Sequence, residues 1–233
     1  MNNQQLSQRL ETVAGFIPEG SRLADIGSDH AYLPCVLANR KVITFAIAGE
    51  VVKGPFESAK EQIIASELEG TVQARLGDGL AVIAPADNIT VVTICGMGGD
   101  LISKILDSGN KEQKLNTAKR LVLQPNNGER KLRIWLLSHG YTIIDETILE
   151  ENEKIYEVIV AEKADETEAY SELEYTFGRY LLKEKNDAFR KKWLSEKDKY
   201  QYILNSLQKA NKDLHEKEKQ IMNKIKEISE VLG

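Results

Sequence analysis

Five short polar or glycine-rich segments between residues 25 and 127 each follow an apolar run. The first is Asp25-Ile26-Gly27-Ser28-Asp29-His30-Ala31. Gly27 permits a tight turn with close backbone approach, and a helix N-terminus behind it can receive a negative group. The dinucleotide fingerprint G-x-G-x-x-G is absent, with Asp29 where a second glycine would stand. A pyrophosphate beside Asp25 and Asp29 meets like charge; an ammonium or a sulfonium does not. Glu50, about twenty residues on, can accept both hydroxyls of a ribose. Asp78 and Gly79, in Gly77-Asp78-Gly79, can address an adenine edge. The small residues of Cys95-Gly96-Met97-Gly98-Gly99 leave room for a flat ring, and Asp100 follows as a helix N-cap. Gln124 and Asn126 carry donors and acceptors for a base. Turn chemistry explains any one of these segments. Five in succession point to a nucleoside site.

Such segments need a frame that ends its strands together. Arg22–Ile26, Val42–Ala48, Thr71–Leu76, Ile89–Ile94 and Arg120–Gln124 read as five buried strands. Helical patterns at 30–40, 53–67, 99–118 and 127–139 alternate with them, which predicts a parallel sheet covered on both faces. Tyr141–Glu150 and Lys154–Lys163 form an antiparallel hairpin at the sheet edge. Leu6, Leu10, Val13 and Ile17 predict an amphipathic helix ending at Pro18–Gly20. Open α/β sheets bind ligands beyond the carboxyl ends of their strands, which is where the five segments fall.

Composition changes near Lys163, dividing the chain into 1–163 and a helical unit, 164–233. Phe189, Trp193, Tyr200, Ile203 and Leu207 make one apolar stripe. Leu214, Ile221, Ile225, Ile228 and Leu232 make another, with a polar break at Asn205–Asp213 between them. Two narrow stripes predict an antiparallel helical hairpin of coiled-coil type. Net charge is −5, but Lys183 to Lys199 carries seven basic and four acidic side chains. That stretch could track phosphates or be a solvated helix face. The two cysteines suit a reducing compartment. No apolar run reaches membrane-spanning length, and the expected location is cytoplasmic.

The segments at 25–34, 49–55, 76–80, 96–99 and 123–126 resemble, in order, those of the bacterial TrmK-type tRNA methyltransferases. The resemblance implies a Rossmann-like α/β fold, a seven-stranded methyltransferase sheet with a C-terminal coiled-coil hairpin. It also implies methylation of N1 of the adenine at position 22 of tRNA, with S-adenosyl-L-methionine (SAM) as cofactor. By the same resemblance Asp25 and Gly27, with Ser28 and His30 beside them, match the motif around the SAM amino-acid moiety. Glu50 matches the ribose-binding acid and Asp78 with Gly79 the adenine turn. Cys95 to Gly99 match the segment facing cofactor and base. The Asn/Asp-Pro-Pro-Tyr motif of exocyclic-amine methyltransferases is replaced here by Gly96-Met97-Gly98-Gly99, which disfavours attack by the N6 amine.

Adenine N1 carries an in-plane lone pair, so the site must supply alignment rather than a base. Asp29 is the candidate carboxylate for the charge that develops on the purine; its competing role is to cap the 30–40 helix. Met97, and similarly Tyr32, could flank the base, although methionine is also a usual core residue. Neither His139 nor His215 has metal-ligand spacing to other candidate ligands, Cys95 reads as a small buried side chain rather than a nucleophile, and no metal is expected. Arg190, Lys191 and Lys192 are the tail's candidate tRNA contacts, against a hairpin that only dimerises or folds. A nicotinamide-dependent oxidoreductase and a non-catalytic SAM-binding module with a coiled-coil partner surface are the alternative readings.

Overall fold

The structure is a computed structural model that describes residues 5–166, 168–209 and 215–233. Seven strands form one sheet in the order β3-β2-β1-β4-β5-β7-β6. They are β1 (Ser21–Ile26), β2 (Ile43–Glu50), β3 (Val72–Leu76), β4 (Val91–Gly98), β5 (Arg120–Asn127), β6 (Tyr141–Glu151) and β7 (Lys154–Lys163). The first five are parallel, and β7 runs antiparallel between β5 and β6. The inner strands are nearly continuous apolar runs because both of their faces are covered. On one face lie α1 (Gln8–Gly15), α2 (Tyr32–Asn39) and α3 (Lys53–Ala65), through Val13, Leu33, Leu37 and Ile63. On the other lie α4 (Gly99–Lys111) and α5 (Glu129–Ser138), through Ile102, Leu106, Leu132 and Leu136. The expected fold is present.

Strand order sets the site. Paired registers place Glu50 beside Leu76, Ile26 beside Gly49, Asp25 beside Thr93 and Cys95 beside Gln124. The ends of β3, β2, β1, β4 and β5 therefore succeed one another along a single edge. The helix expected over 99–118 stops at Lys111, where Gln113 soon takes a left-handed φ of 59°. Leu115 and Ala118 remain buried without being helical.

The tail holds more than a hairpin. Two short helices, α6 (Glu172–Phe177) and α7 (Arg179–Glu184), precede α8 (Asp187–Lys209) and α9 (His215–Leu232). Antiparallel packing of α8 and α9 follows from Arg190 Nη1 and Lys185 Nζ, which donate to the carbonyls of Leu232 and Val231. Phe189, Trp193, Ile228 and Val231 bury with Phe177 and Leu181 against Ile148 of β6. The stripe passes through Leu204, which is buried, rather than the exposed Ile203; adjacent positions cannot share one helix face. Leu214 lies outside the described residues.

A charged cluster fastens the tail. Arg133 of α5 donates to Glu146 and to Glu157, both at 2.6 Å, with all three side chains buried. Lys192 of α8 reaches Glu157 at 2.7 Å and Glu129 at 2.6 Å. Burial alone would raise the Glu157 carboxyl, but Lys192 and Arg133 outweigh it and hold it below the usual range. Gly178, at φ 84°, passes so close that a Cβ would sit 2.8 Å from Arg133 Nη2.

Candidate active site

β1 ends in a carboxylate that is buried yet has no ion-pair partner among the described residues. Asp25 accepts hydrogen bonds from Ser28 Oγ at 2.6 Å and Thr93 Oγ1 at 2.5 Å. Burial pushes its carboxyl up to about 6, outweighing the lowering by those two hydroxyls. Gly27 turns the chain at φ 70°, where a Cβ would lie 2.3 Å from Met97 Cε. Its N–H donates to Gly49 O at 2.9 Å. The glycine lets the β1 turn and the end of β4 close on one another.

Asp29, His30 and Ala31 then take three successive left-handed conformations, at φ 46°, 65° and 58°. Left-handed non-glycine residues are costly and tend to be held at functional sites. This extra turn delays α2 to Tyr32 and makes Ala31 its N-cap residue, with no side-chain cap. The capping role considered for Asp29 is therefore absent. Its side chain is 83% exposed, and its backbone N–H donates to Glu50 Oε1 at 2.7 Å. Glu50 is buried, and desolvation raises its carboxyl above the ordinary range despite that bond. Asp100 likewise caps nothing, because β4 continues to Gly98, which is the N-cap of α4. The Asp100 carboxylate pairs instead with Lys131 at 3.0 Å.

Six candidates, Asp25, Gly27, Ser28, Asp29, Cys95 and Gly96, line one inner cavity of about 260 Å³, with Met97 in its wall. Burial drives the Cys95 thiol far up, so it stays protonated and poorly nucleophilic. Asp78 and Gly79 line a separate hollow of about 150 Å³ beside Ile105, farther along the same sheet edge. His30 and Tyr32 pack on one another, with ring centroids 5.5 Å apart. Neither is in the wall of the inner cavity, although His30 Nε2 is 3.6 Å from Asp29 Oδ1.

Gln124 does something other than expected. It is fully buried, and its carbonyl oxygen accepts from Arg9 Nη1 at 2.7 Å and from the Gly96 N–H at 3.0 Å. Its amide nitrogen donates to Pro125 O and to Asn126 Oδ1, both at 3.0 Å. Two donors and two lone pairs are thereby occupied, leaving none to read a base. Gln124 is a strut for the rim. Asn126 is exposed and holds Gly96 O at 2.8 Å through one amide hydrogen, leaving the other open.

The tail candidates divide in the same way. Lys192 belongs to the charged cluster and Arg190 caps α9. Lys191 pairs with Glu150 at the end of β6. Lys192 is thereby committed to the protein, whereas Arg190 and Lys191 stay exposed; helical periodicity sends neighbouring side chains to different faces.

Arg9 of α1 is the site residue that sequence reasoning missed. It borders the inner cavity and also an outer one of about 600 Å³, where it meets Asp29, Gly96, Asn126, Lys154 and Tyr156. Nothing local in the sequence says that α1 begins at the carboxyl edge of the sheet, with Arg9 at Gln124 and Phe16 at Arg120. Thr93 did carry a signal, as a lone polar residue in the apolar run Val-Val-Thr-Ile.

Residues 23–230 match the family model TrmK, tRNA (adenine(22)-N(1))-methyltransferase. The chain is 43% identical over 238 aligned positions to the Bacillus subtilis tRNA (adenine(22)-N(1))-methyltransferase, covering 100% of this chain and 99% of that one. It is also similar to the Streptococcus pneumoniae protein Sp1610 in complex with S-adenosyl-L-methionine. That match has a TM-score of 0.90 and 44% identity, over 98% of this chain and 100% of that one. M. capricolum TrmK in complex with S-adenosyl-homocysteine matches with a TM-score of 0.84 and 30% identity, over 97% of each chain.

Proposed function

The chain belongs to the TrmK family of tRNA (adenine(22)-N(1))-methyltransferases, and we propose how its own residues divide that work. The activity is SAM-dependent methylation of adenine N1 in tRNA. The observation that supports our assignment is the row of strand ends, with acidic residues at the carboxyl ends of β3, β2 and β1 and a glycine-lined cavity where β4 ends. Asp78 and Gly79 hold the adenine end of the cofactor and Glu50 its ribose. Asp25, Gly27 and Ser28 hold the cationic end, with Cys95 and Gly96 as the cavity floor. Among the described residues Asp25 makes no direct ion pair, with Arg9 acting on it only from a distance, and such a buried carboxylate suits an ammonium or a sulfonium. Residues 1–163 form the methyl-transfer unit, residues 164–233 are the appended unit, and the expected location is the cytoplasm.

When bound, SAM supplies the electrophilic methyl group. No residue needs to remove a proton from N1, whose lone pair is already in the ring plane. Asp29 stands at the mouth of the cavity, where a carboxylate stabilises positive charge arriving on the purine and accepts from its exocyclic amine. Met97 walls the approach beside Gly27, and Asn126 offers its remaining amide hydrogen to the base. The direct test is nucleoside mass spectrometry of transcribed tRNA after incubation with enzyme and SAM. N1-methyladenosine at position 22 is expected; none there would overturn the assignment.

A pH dependence follows from Asp25. A cationic ligand prefers the ionised carboxylate, so binding it draws Asp25 down from about 6. SAM affinity should hold above that pH and fall below it, approaching about tenfold per pH unit. Stability runs the other way. The raised carboxyl binds its proton more tightly in the folded chain than at its ordinary 3.8, so its contribution is lost as pH rises between the two values. Calorimetric titration across pH 5–8 measures the first effect. Asp25→Asn should bind more weakly and flatten the profile, whereas an unchanged slope would remove Asp25 from the cationic end.

A further inference from the structure

We infer that the outer cavity receives the target nucleotide, with the Tyr156 ring and the Arg9 guanidinium as its stacking platform and Lys154 as its phosphate contact. This rests on the tRNA-methyltransferase reading and extends it to residues of α1 and β7. The outer cavity, about 600 Å³, is of nucleotide-binding size. It shares Arg9, Asp29 and Gly96 with the inner cavity, so a group seated in it borders the cofactor's cationic end directly.

The platform is built rather than incidental. Tyr156 is half-buried and packs against the core on the α1 side of the sheet. Arg9 Cζ lies over its ring, 5.5 Å from the centroid. Aromatic rings and guanidinium planes are the two side-chain surfaces on which unpaired bases stack. Gln124 fixes the Arg9 plane, and the Gln8 N–H ties α1 to Glu151 at 2.5 Å beside the β6–β7 turn. A pinned platform loses little entropy when a ligand arrives.

Charge gives the ligand its direction. Lys154 supplies positive charge to the outer wall on β7, whereas the Asp29 carboxylate and Arg9 belong to the side shared with the inner cavity. A nucleotide has a complementary polarity, with an anionic phosphate at one end and a base that becomes cationic on methylation at the other. A base that leaves its stack must regain a few kcal/mol of lost stacking, and a second stacking surface provides it.

Tyr156→Leu keeps the apolar packing and removes the aromatic face. With SAM saturating, it should lower kcat/KM for tRNA roughly 10- to 100-fold, the range of one base–aromatic stack, with SAM affinity unchanged. Tyr156→Phe should restore activity to within about twofold. Lys154→Gln, at an exposed position that opens β7, should raise KM for tRNA and flatten its salt dependence. Wild-type kcat/KM in Tyr156→Leu would overturn the platform, as would a Phe variant as impaired as the Leu variant. A parallel loss of SAM affinity would assign Tyr156 to the cofactor site and also overturn it. If Tyr156→Leu does not fold, an unchanged KM and salt slope in Lys154→Gln overturns the nucleotide assignment. Absence of N1-methyladenosine with the wild-type enzyme would instead sink the underlying reading.

Discussion

Asp29→Asn is expected to slow methyl transfer to tRNA by about 10²–10³-fold, the typical loss when one preorganised electrostatic contact to a transition state is removed. SAM affinity should stay within about threefold, because the proposed contact strengthens only as charge appears on the base. The substitution is clean. Asparagine tolerates the left-handed backbone at this position, and the backbone N–H that bonds Glu50 is unchanged. No cap is lost, since Ala31 is the N-cap residue of α2, so the melting temperature should not move. Single-turnover rates together with calorimetric SAM titration make the measurement. Wild-type turnover would sink the role of Asp29; equal losses in rate and SAM affinity would move it to the cofactor.

Lys192→Met should cost about 3 kcal/mol of stability, near the low end for breaking a buried ion pair because the lysine keeps some exposure. At about 2–4 °C per kcal/mol for a chain of this size, melting should fall by roughly 10 °C. The loss has two parts. Glu157 is buried and keeps only Arg133 as a cation, and Glu129 loses its lysine. Burial would lower the Lys192 ammonium, but Glu157 and Glu129 hold it above the usual lysine range. A melting temperature within about 2 °C of wild type would show that the cluster does not fasten α8 to the sheet. The same geometry rules out reversing Arg190, Lys191 and Lys192 together as a test of RNA contact, because that variant would dismantle the tail. Lys183 and Lys199 are exposed and outside the cluster, so they are the positions at which to probe phosphate contact.

Asp25, Gly27, Glu50 and Asp78 could be picked out from the chain because a turn after a buried strand leaves a local mark. Apolar runs, the glycines and the acids that follow them are neighbours in sequence. Strand–helix alternation then placed those acids on one edge, since parallel strands joined by helices all end on the same side. The helical tail was legible for a similar reason, through its 3.5-residue stripes. Its attachment was not: α6 and α7 are only six residues each, too short for periodicity to register.

Local sequence thus determined the row of strand ends, the absence of a second glycine at Asp29, and the fold class. Tertiary structure alone decided which polar groups remain open to a ligand. Gln124 and Lys192 look available in a sequence, yet burial obliges each to find partners inside the protein. Arg9 looks like an ordinary charge on a helix, yet α1 carries it 115 residues in sequence from Gln124 to a separation of 2.7 Å. The physical reason is that hydrogen-bonding capacity belongs to a residue type, whereas its satisfaction depends on what packing brings within about 3 Å.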